Sequence, residues 1–314
     1  MRLLLGLSIA LAAFGQDTSS SSLSSVDING RRVNDGVQIH RTKSADGSST
    51  EERTQSINGR NVTLEKVEEH ILRNDASGRV VERITRRFDP SGNPAGMVKQ
   101  TIEEQKHPDG STSTQSTSYQ RDINGGMRLT EKIETQSHKS DSGETAETVI
   151  QRPLPDGSIG TVERRSKVVV KDANGYREDT TTYRRDGNGG FSAAVRSTKE
   201  HSETGGQSSD NTAEYEPGPD GRLQLHSQTV AHTVTRPDGS TDSVIDIFGT
   251  HVPGVANDTS RLKLQEQQIV QTKAGPSDTT VETLSVRRPT VSDPNSLGPA
   301  RQVSETVCKG NCKP

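Results

Sequence analysis

The side chains able to do chemistry in this sequence are few in kind and regular in position. His70, His107, His138, His201 and His232 each fall three to eight residues before a turn glycine. Imidazoles from successive repeats could line one edge as metal ligands, but their offsets differ, so solvated repeat positions are the expected role. Aspartate oxygens in the "PDG" turns and in "DGNGG" (186–190) suit a hard cation. The later acidic ligands are missing, however, and Ser197 stands where a closing Glu is required. "CKGNC" holds the two cysteines, Cys308 and Cys312, with Gly310 between them. In an exported chain such a pair closes a small disulfide loop, and it lacks the partner ligands of a metal clamp. The four tyrosines, Tyr119, Tyr176, Tyr183 and Tyr215, would form a platform for sugar or protein if they shared one face. No phosphate loop, G-x-S-x-G or H-E-x-x-H is present. The chain is therefore expected to have no catalytic residues, no cofactor, no metal and no enzymatic activity.

The composition limits what can hold such residues in place. Of 314 residues 26% are hydrophobic and 3% aromatic, with no Trp, against about 45–50% apolar in an ordinary domain. Ordering each residue costs about 1–2 kcal/mol of backbone entropy. A chain this polar cannot offset that cost with a thick core, so it is either substantially disordered or a thin sheet held by backbone hydrogen bonds. A formal charge of −3 exerts no pull toward nucleic acid. Met1–Gly15 has Arg2, an apolar run from Leu3 to Phe14, and small residues before Gln16. This is the layout of a signal peptide cut near Gly15. No later segment is apolar enough to span a bilayer as a helix. The expected location is secreted, periplasmic or at the cell surface, with no membrane span in the mature chain.

The elements are marked by glycines. Gly47, Gly78, Gly110, Gly143, Gly175, Gly205 and Gly239 are spaced by 31, 32, 33, 32, 30 and 34 residues. Between them Gly59, Gly92, Gly125, Gly157, Gly189, Gly221 and Gly254 are spaced by 33, 33, 32, 32, 32 and 33. Each sits in hairpin-turn chemistry such as Pro-Asp-Gly or Asn-Gly. "PDGST" occurs at 108–112 and again at 237–241, four periods apart, which marks it as a recurrent turn. The segments between turns alternate imperfectly. "RVVERITRRF" (79–88) alternates Val80, Ile84 and Phe88 with charged positions, whereas "RLQLHSQTVAHTVT" (222–235) slips parity after Leu225, and such slips imply bulges or no fixed buried face. The expected fold is all-β, with about seven antiparallel hairpins of ~32 residues over 26–286, forming an extended, twisted, polar up-and-down meander. A Ser-rich leader (16–25) precedes it, and a Pro-rich tail (287–314) carries the cysteine pair. "STSTQSTSYQR" (111–121) argues against a lipid-facing barrel strand.

The turns "DASGRVVE" (75–82), "DPSGNPAG" (89–96), "DANGYRED" (172–179) and "PDGRLQL" (219–225) resemble those of Rhs/YD-type repeats. That resemblance covers the turns alone and implies a strip of β-hairpins in a secreted protein. The expected function is a secreted or envelope-associated structural or adhesive repeat protein that self-associates or packs with an extracellular polymer. The alternative is a cell-surface binding module for polysaccharide or protein, using an exposed sheet face. Sequons stand at Asn61–Thr63 and Asn257–Thr259.

Overall fold

The computed structural model describes residues 17–26, 31–57, 59–122, 124–250, 262–276, 279–290 and 293–309. The expected signal peptide, the second sequon and Cys312 lie outside the described residues. In chain order the strands are β1 (Asp17–Val26), β2 (Arg32–Lys43), β3 (Ser49–Ile57), β4 (Arg60–Asp75), β5 (Gly78–Phe88), β6 (Pro94–Lys106) and β7 (Ser111–Arg121). Then come β8 (Met127–Ser140), β9 (Gly143–Pro153), β10 (Ile159–Lys171), β11 (Gly175–Arg185), β12 (Phe191–Thr204), β13 (Gln207–Pro217) and β14 (Leu223–Thr235). β15 (Thr241–Gly249), β16 (Lys263–Ala274), β17 (Thr279–Arg287), β18 (Pro289–Thr290), β19 (Asp293–Leu297) and β20 (Arg301–Lys309) complete the chain.

The hairpins form where the glycines place them. At the second PDGST the Arg236 amide donates to the Ser240 carbonyl (2.9 Å) and the Gly239 amide to the Arg236 carbonyl (2.9 Å). At the first, the His107 amide donates to Ser111 (2.9 Å) and Gly110 to His107 (3.1 Å). Gly110 and Gly239 take φ of +80° and +81°, the left-handed value that ends such a turn. One glycine series lies at one rim and the other at the opposite rim, because successive turns alternate ends. At the first rim some turns are shorter. Gly143 and Gly175 there begin a strand hard against a neighbour, and a Cβ on Gly175 would lie 1.8 Å from the His201 carbonyl oxygen.

Sequence neighbours pair antiparallel from β1 to β17, and β20 pairs with both β17 and β1. The sheet therefore closes into an 18-stranded barrel, with Ser21 opposite Cys308 and Leu284 opposite Ser304. β18 and β19 form a separate two-stranded ribbon. Bulges interrupt the register at matching places, for example between Ser118/Tyr119, Thr182/Tyr183 and Glu214/Tyr215. An extra residue raises local twist and curvature, which bends the meander round to its own start.

Several expectations change here. The sheet is closed rather than extended, so the strip of hairpins implied by the Rhs/YD-type resemblance is not what forms. The described chain is folded into strands, which removes the alternative of substantial disorder. Most of the expected leader (16–25) is β1, and the expected tail contributes β20. Both are polar, but each supplies the backbone donors and acceptors that the other end of the sheet lacks.

Eighteen strands about 4.8 Å apart and tilted by about 40° give a mean diameter of about 35 Å. Packed sheets stand about 10 Å apart. No described side chain falls below 2% exposure, so opposite walls are not pressed together and the lumen is open. Alanine at Gly175 should destabilise the barrel by about 2–3 kcal/mol through steric conflict. Alanine at Gly157, with φ +83° and nothing within 4 Å of its Cβ, should cost only about 1 kcal/mol. Urea unfolding followed by circular dichroism measures the difference.

Candidate functional site

Residues directly opposite across a ladder share a face, so the registers sort side chains into two walls. Ile71, Val81, Ile102, Ser116, Ile133 and Ile150 form one row across β4 to β9. The row continues to Glu163 and Arg184 on β10 and β11. Of the five buried apolar residues among those described, Val37, Val81, Ile150 and Cys308 share this face, and Ala213 does not. Of the ten exposed large apolar side chains, eight (among them Met127, Ile159, Val170, Leu225 and Val244) are paired on the other face. Leu23 lies with the buried set, and Leu72 is a bulge residue. Side chains converge on the concave side of a curved wall and splay on the convex side. The first face is therefore the inner wall and the second the outer.

The inner wall changes character around its circumference. Across β4 to β9 its central row is mostly β-branched, whereas across β10 to β13 it is charged. Glu163 is bracketed by Arg165 (2.6 Å) and Arg184 (3.2 Å), and Lys167 reaches Glu144 (3.6 Å) and Glu178 (3.8 Å). Near the first rim, His201 Nδ1 lies 3.0 Å from Asp210 Oδ1, with Lys199 3.5 Å from the same oxygen. Tyr176 stacks on His201 at 5.2 Å between centroids. Acids and bases alternate here, so the lining is hydrophilic and nearly neutral. Among the described residues no buried side-chain polar atom lacks a partner.

The middle of the outer wall is also polar. β7 presents Ser113, Gln115 and Thr117 outward and Thr114, Ser116 and Ser118 inward. Opposite charges pair across strands, as in Lys99–Glu82 (2.6 Å), Arg177–Glu200 (3.7 Å) and Arg196–Asp179.

The four tyrosines do not form one line. Tyr119, Tyr183 and Tyr215 share the outer wall near the second rim, and Tyr176 is on the inner wall near the first. The five histidines are also divided. His70, His138 and His232 face outward, His201 faces inward, and His107 is in a turn. Among the described residues no three His, Cys, Asp or Glu side chains are grouped to hold a metal. Cys308 is buried in β20, with 8% exposure. The bridge expected from it to Cys312 extends outside the described residues.

The turn aspartates serve their own backbones. Asp109 Oδ1 accepts from Ser111 Oγ (2.6 Å) and the Ser111 amide (2.9 Å). Asp156 does the same with Ser158, and Asp238 with Ser240. These bonds, the serine hydroxyl foremost and then the amide, hold all three carboxyls below the usual aspartate range.

No family model matches this chain, and no curated protein does. Among solved structures it is similar to a BenF-like porin from Pseudomonas fluorescens Pf-5, with a TM-score of 0.45 and 8% identity over 95% of this chain and 98% of that one. It is also similar to Pseudomonas aeruginosa OccK2 (OpdF), solved in complex with glucuronate, with a TM-score of 0.42 and 7% identity over 95% and 97%. The first of these is named a porin, and neither is named an Rhs/YD-type protein.

The expected adhesive or sheet-face binding function needs correcting. The adhesive reading leaned on an open sheet with free edges, which the closed ring does not have, and the binding reading on an extended sheet face, which closure curls into the two walls of a ring. The expected location as a freely secreted or periplasmic chain without a membrane span rested on the lack of an apolar helix and on the polar strand 111–121, which argued against a lipid-facing barrel. Among the described residues no helix is long and apolar enough to cross a membrane, but barrels cross with strands, so closure of the ring removes the first of these grounds.

The turn bonds predict an acid response. A carboxyl depressed in the folded state contributes stability above its unfolded value, and the contribution is lost as pH falls through the folded value. The share of thermal stability that these three carboxyls contribute should hold from neutrality down to the ordinary aspartate value of 3.8 and be lost below it. Replacing Asp109, Asp156 and Asp238 by Asn should make the acid limb of the melting profile shallower, with Asp46, Asp75 and Asp89 keeping their part of it.

Proposed function

We propose that this barrel is a water-filled conduit that passes small hydrophilic solutes along its axis and performs no covalent chemistry. One observation carries the reading. The backbone ladder is closed around 18 strands, yet no described side chain inside or outside is fully buried. A ring of this size cannot be filled by its own side chains, and barrels of comparable strand number leave an aqueous channel. The lining supports it, since alternating acids and bases such as Glu163–Arg184 and Lys199–Asp210 keep water in the bore without trapping one sign of ion. The same alternation implies weak intrinsic ion selectivity.

The test is conductance. The folded chain, reconstituted into a planar bilayer, should give discrete ohmic steps. Lys167→Glu with Lys199→Glu, which changes the inner wall, should move the reversal potential toward cation selectivity. Lys132→Glu on the outer wall should leave the potential where it was. A chain that is β-rich by circular dichroism but carries no current would overturn the proposal.

A further inference from the structure

Histidine is the side chain whose ordinary charge change falls between pH 5 and 8, so the histidines decide where this barrel changes charge near neutrality. His40, His70, His138 and His232 stand on the outer wall, and His107 is in a turn. His226 is the residue left over at the β14 bulge, 3.9 Å from Glu216. Among the described histidines, His201 alone takes a ladder position on the inner wall. It stands close to the first rim, where β12 ends at Thr204.

The strands on both sides of this imidazole bring titratable groups to it. On β13 Asp210 is directly opposite, its Oδ1 3.0 Å from His201 Nδ1. On β11 Tyr176 is directly opposite, and its ring stacks on the imidazole at 5.2 Å between centroids and 25° between planes. Gly175 permits that stack, since it starts β11 against the His201 backbone where a Cβ has no room. Glu178, next along β11, belongs to a balanced set with Lys139, Glu144 and Lys167. On β12 itself Lys199 lies 3.5 Å from the same Asp210 oxygen and 5.7 Å from the Tyr176 ring centre, and Glu203 lies on the rim side. Lys171 on β10 continues the row beyond Tyr176. Past Asp210 the row runs on as Ala231 and Ile245. With the imidazole neutral, Lys171 and Lys199 balance Glu203 and Asp210. A proton on His201 leaves the patch one positive charge in excess.

We infer that His201 is the residue through which protons set the ion preference of the bore. Uncharged, it leaves the first-rim mouth neutral; protonated, it makes that mouth favour anions. The inference rests on the conduit reading and deepens it by naming what regulates the lining. Asp210 is already shared with Lys199, so it does not cancel a second cation, and imidazolium and ammonium would flank one carboxylate. The side chains of His201, Asp210 and Lys199 are 24%, 33% and 40% exposed, so the added charge is felt in the water of the bore. In a ring of this diameter an ion on the axis passes about 10 Å from the patch, about one Debye length at 0.1 M salt. At that distance one unit charge raises the anion-to-cation permeability ratio by about 1.5–2-fold.

Reversal potentials of the reconstituted chain across a potassium chloride gradient near 0.1 M, read at pH 8 and pH 5, test this. In wild type the anion-to-cation ratio should rise about 1.5–2-fold on acidification. His201→Gln should lose most of that rise, and His232→Gln, on the outer wall beside the same row, should keep it. Asp210→Asn should show at pH 8 the anion preference that wild type shows only at pH 5. A second readout needs no current. The chain has four Tyr and no Trp, so Tyr119→Phe, Tyr183→Phe and Tyr215→Phe together leave Tyr176 as the sole emitter. An imidazolium quenches a phenol stacked on it, so this emission should fall between pH 8 and pH 5 and stay level once His201→Gln is added. Equal acid responses of the current in folded wild type and His201→Gln, or a level Tyr176 emission with His201 present, would overturn the inference and leave the conduit in place. A folded chain without current removes the conduit and this inference with it.

Discussion

The structure depends on one requirement, that the two free backbone edges of a long antiparallel meander find partners. A row of unpaired amides and carbonyls costs free energy wherever water is excluded and recruits other strands wherever it is not. Here β1 and β20 meet, and all eighteen strands of the ring are bonded on both sides. The fold does not need a core. With both edges satisfied, 26% hydrophobic residues suffice, because stability is distributed along ladders and turns. Cross-strand pairs such as Arg152–Glu131 at 2.6 Å each add about 0.2–1 kcal/mol.

The same economy governs the walls. Closing a polar sheet without filling it yields a bore lined by whatever the inner face carries. In this chain the central row of the lining is mostly β-branched across β4–β9, with the Glu65–Arg87 and Glu69–Arg83 pairs beside it, and the lining is charged across β10–β13. The outer wall has its own division, with a polar waist and three tyrosines near the second rim. Neither division follows from the repeat alone, since a strict repeat would make every hairpin alike. They arise where repeats differ: Ile133 and Ile150 occupy the row that Glu163 and Arg184 occupy two strands later.

Much of the local architecture was legible in the residues. The two glycine series give every described hairpin between β2 and β15 and assign each to a rim. The parity slip in 222–235 is a bulge in β14, where Glu214 pairs with Ser227 and Tyr215 with Leu225, leaving His226 over. Closure was not legible. It requires "DTSSSSLSSV" to pair with "RQVSETVCK", and neither carries an apolar alternation or a turn that announces a strand. Pairing between chain ends depends on complementary edges, which leave no periodic trace in composition. For the tyrosines the missing quantity was register. Counting along the chain grouped four, but a bulge-corrected face assignment separates Tyr176 from the other three.

The pairing of Ser21 with Cys308 spans nearly the whole chain, whereas every other neighbour in the ring is a local hairpin partner or the short step from β17 to β20. Local hairpins close quickly, and the entropy of joining distant ends is met last. During synthesis, which runs from the amino terminus, β1 therefore emerges first and waits longest. Its exposed edge persists until the final strand is made. A Ser-rich first strand is suited to that interval, because a hydroxyl-lined edge stays hydrated and is a poor template for aggregation. Its lack of apolar character, which hid it as a strand, protects the nascent barrel before it seals.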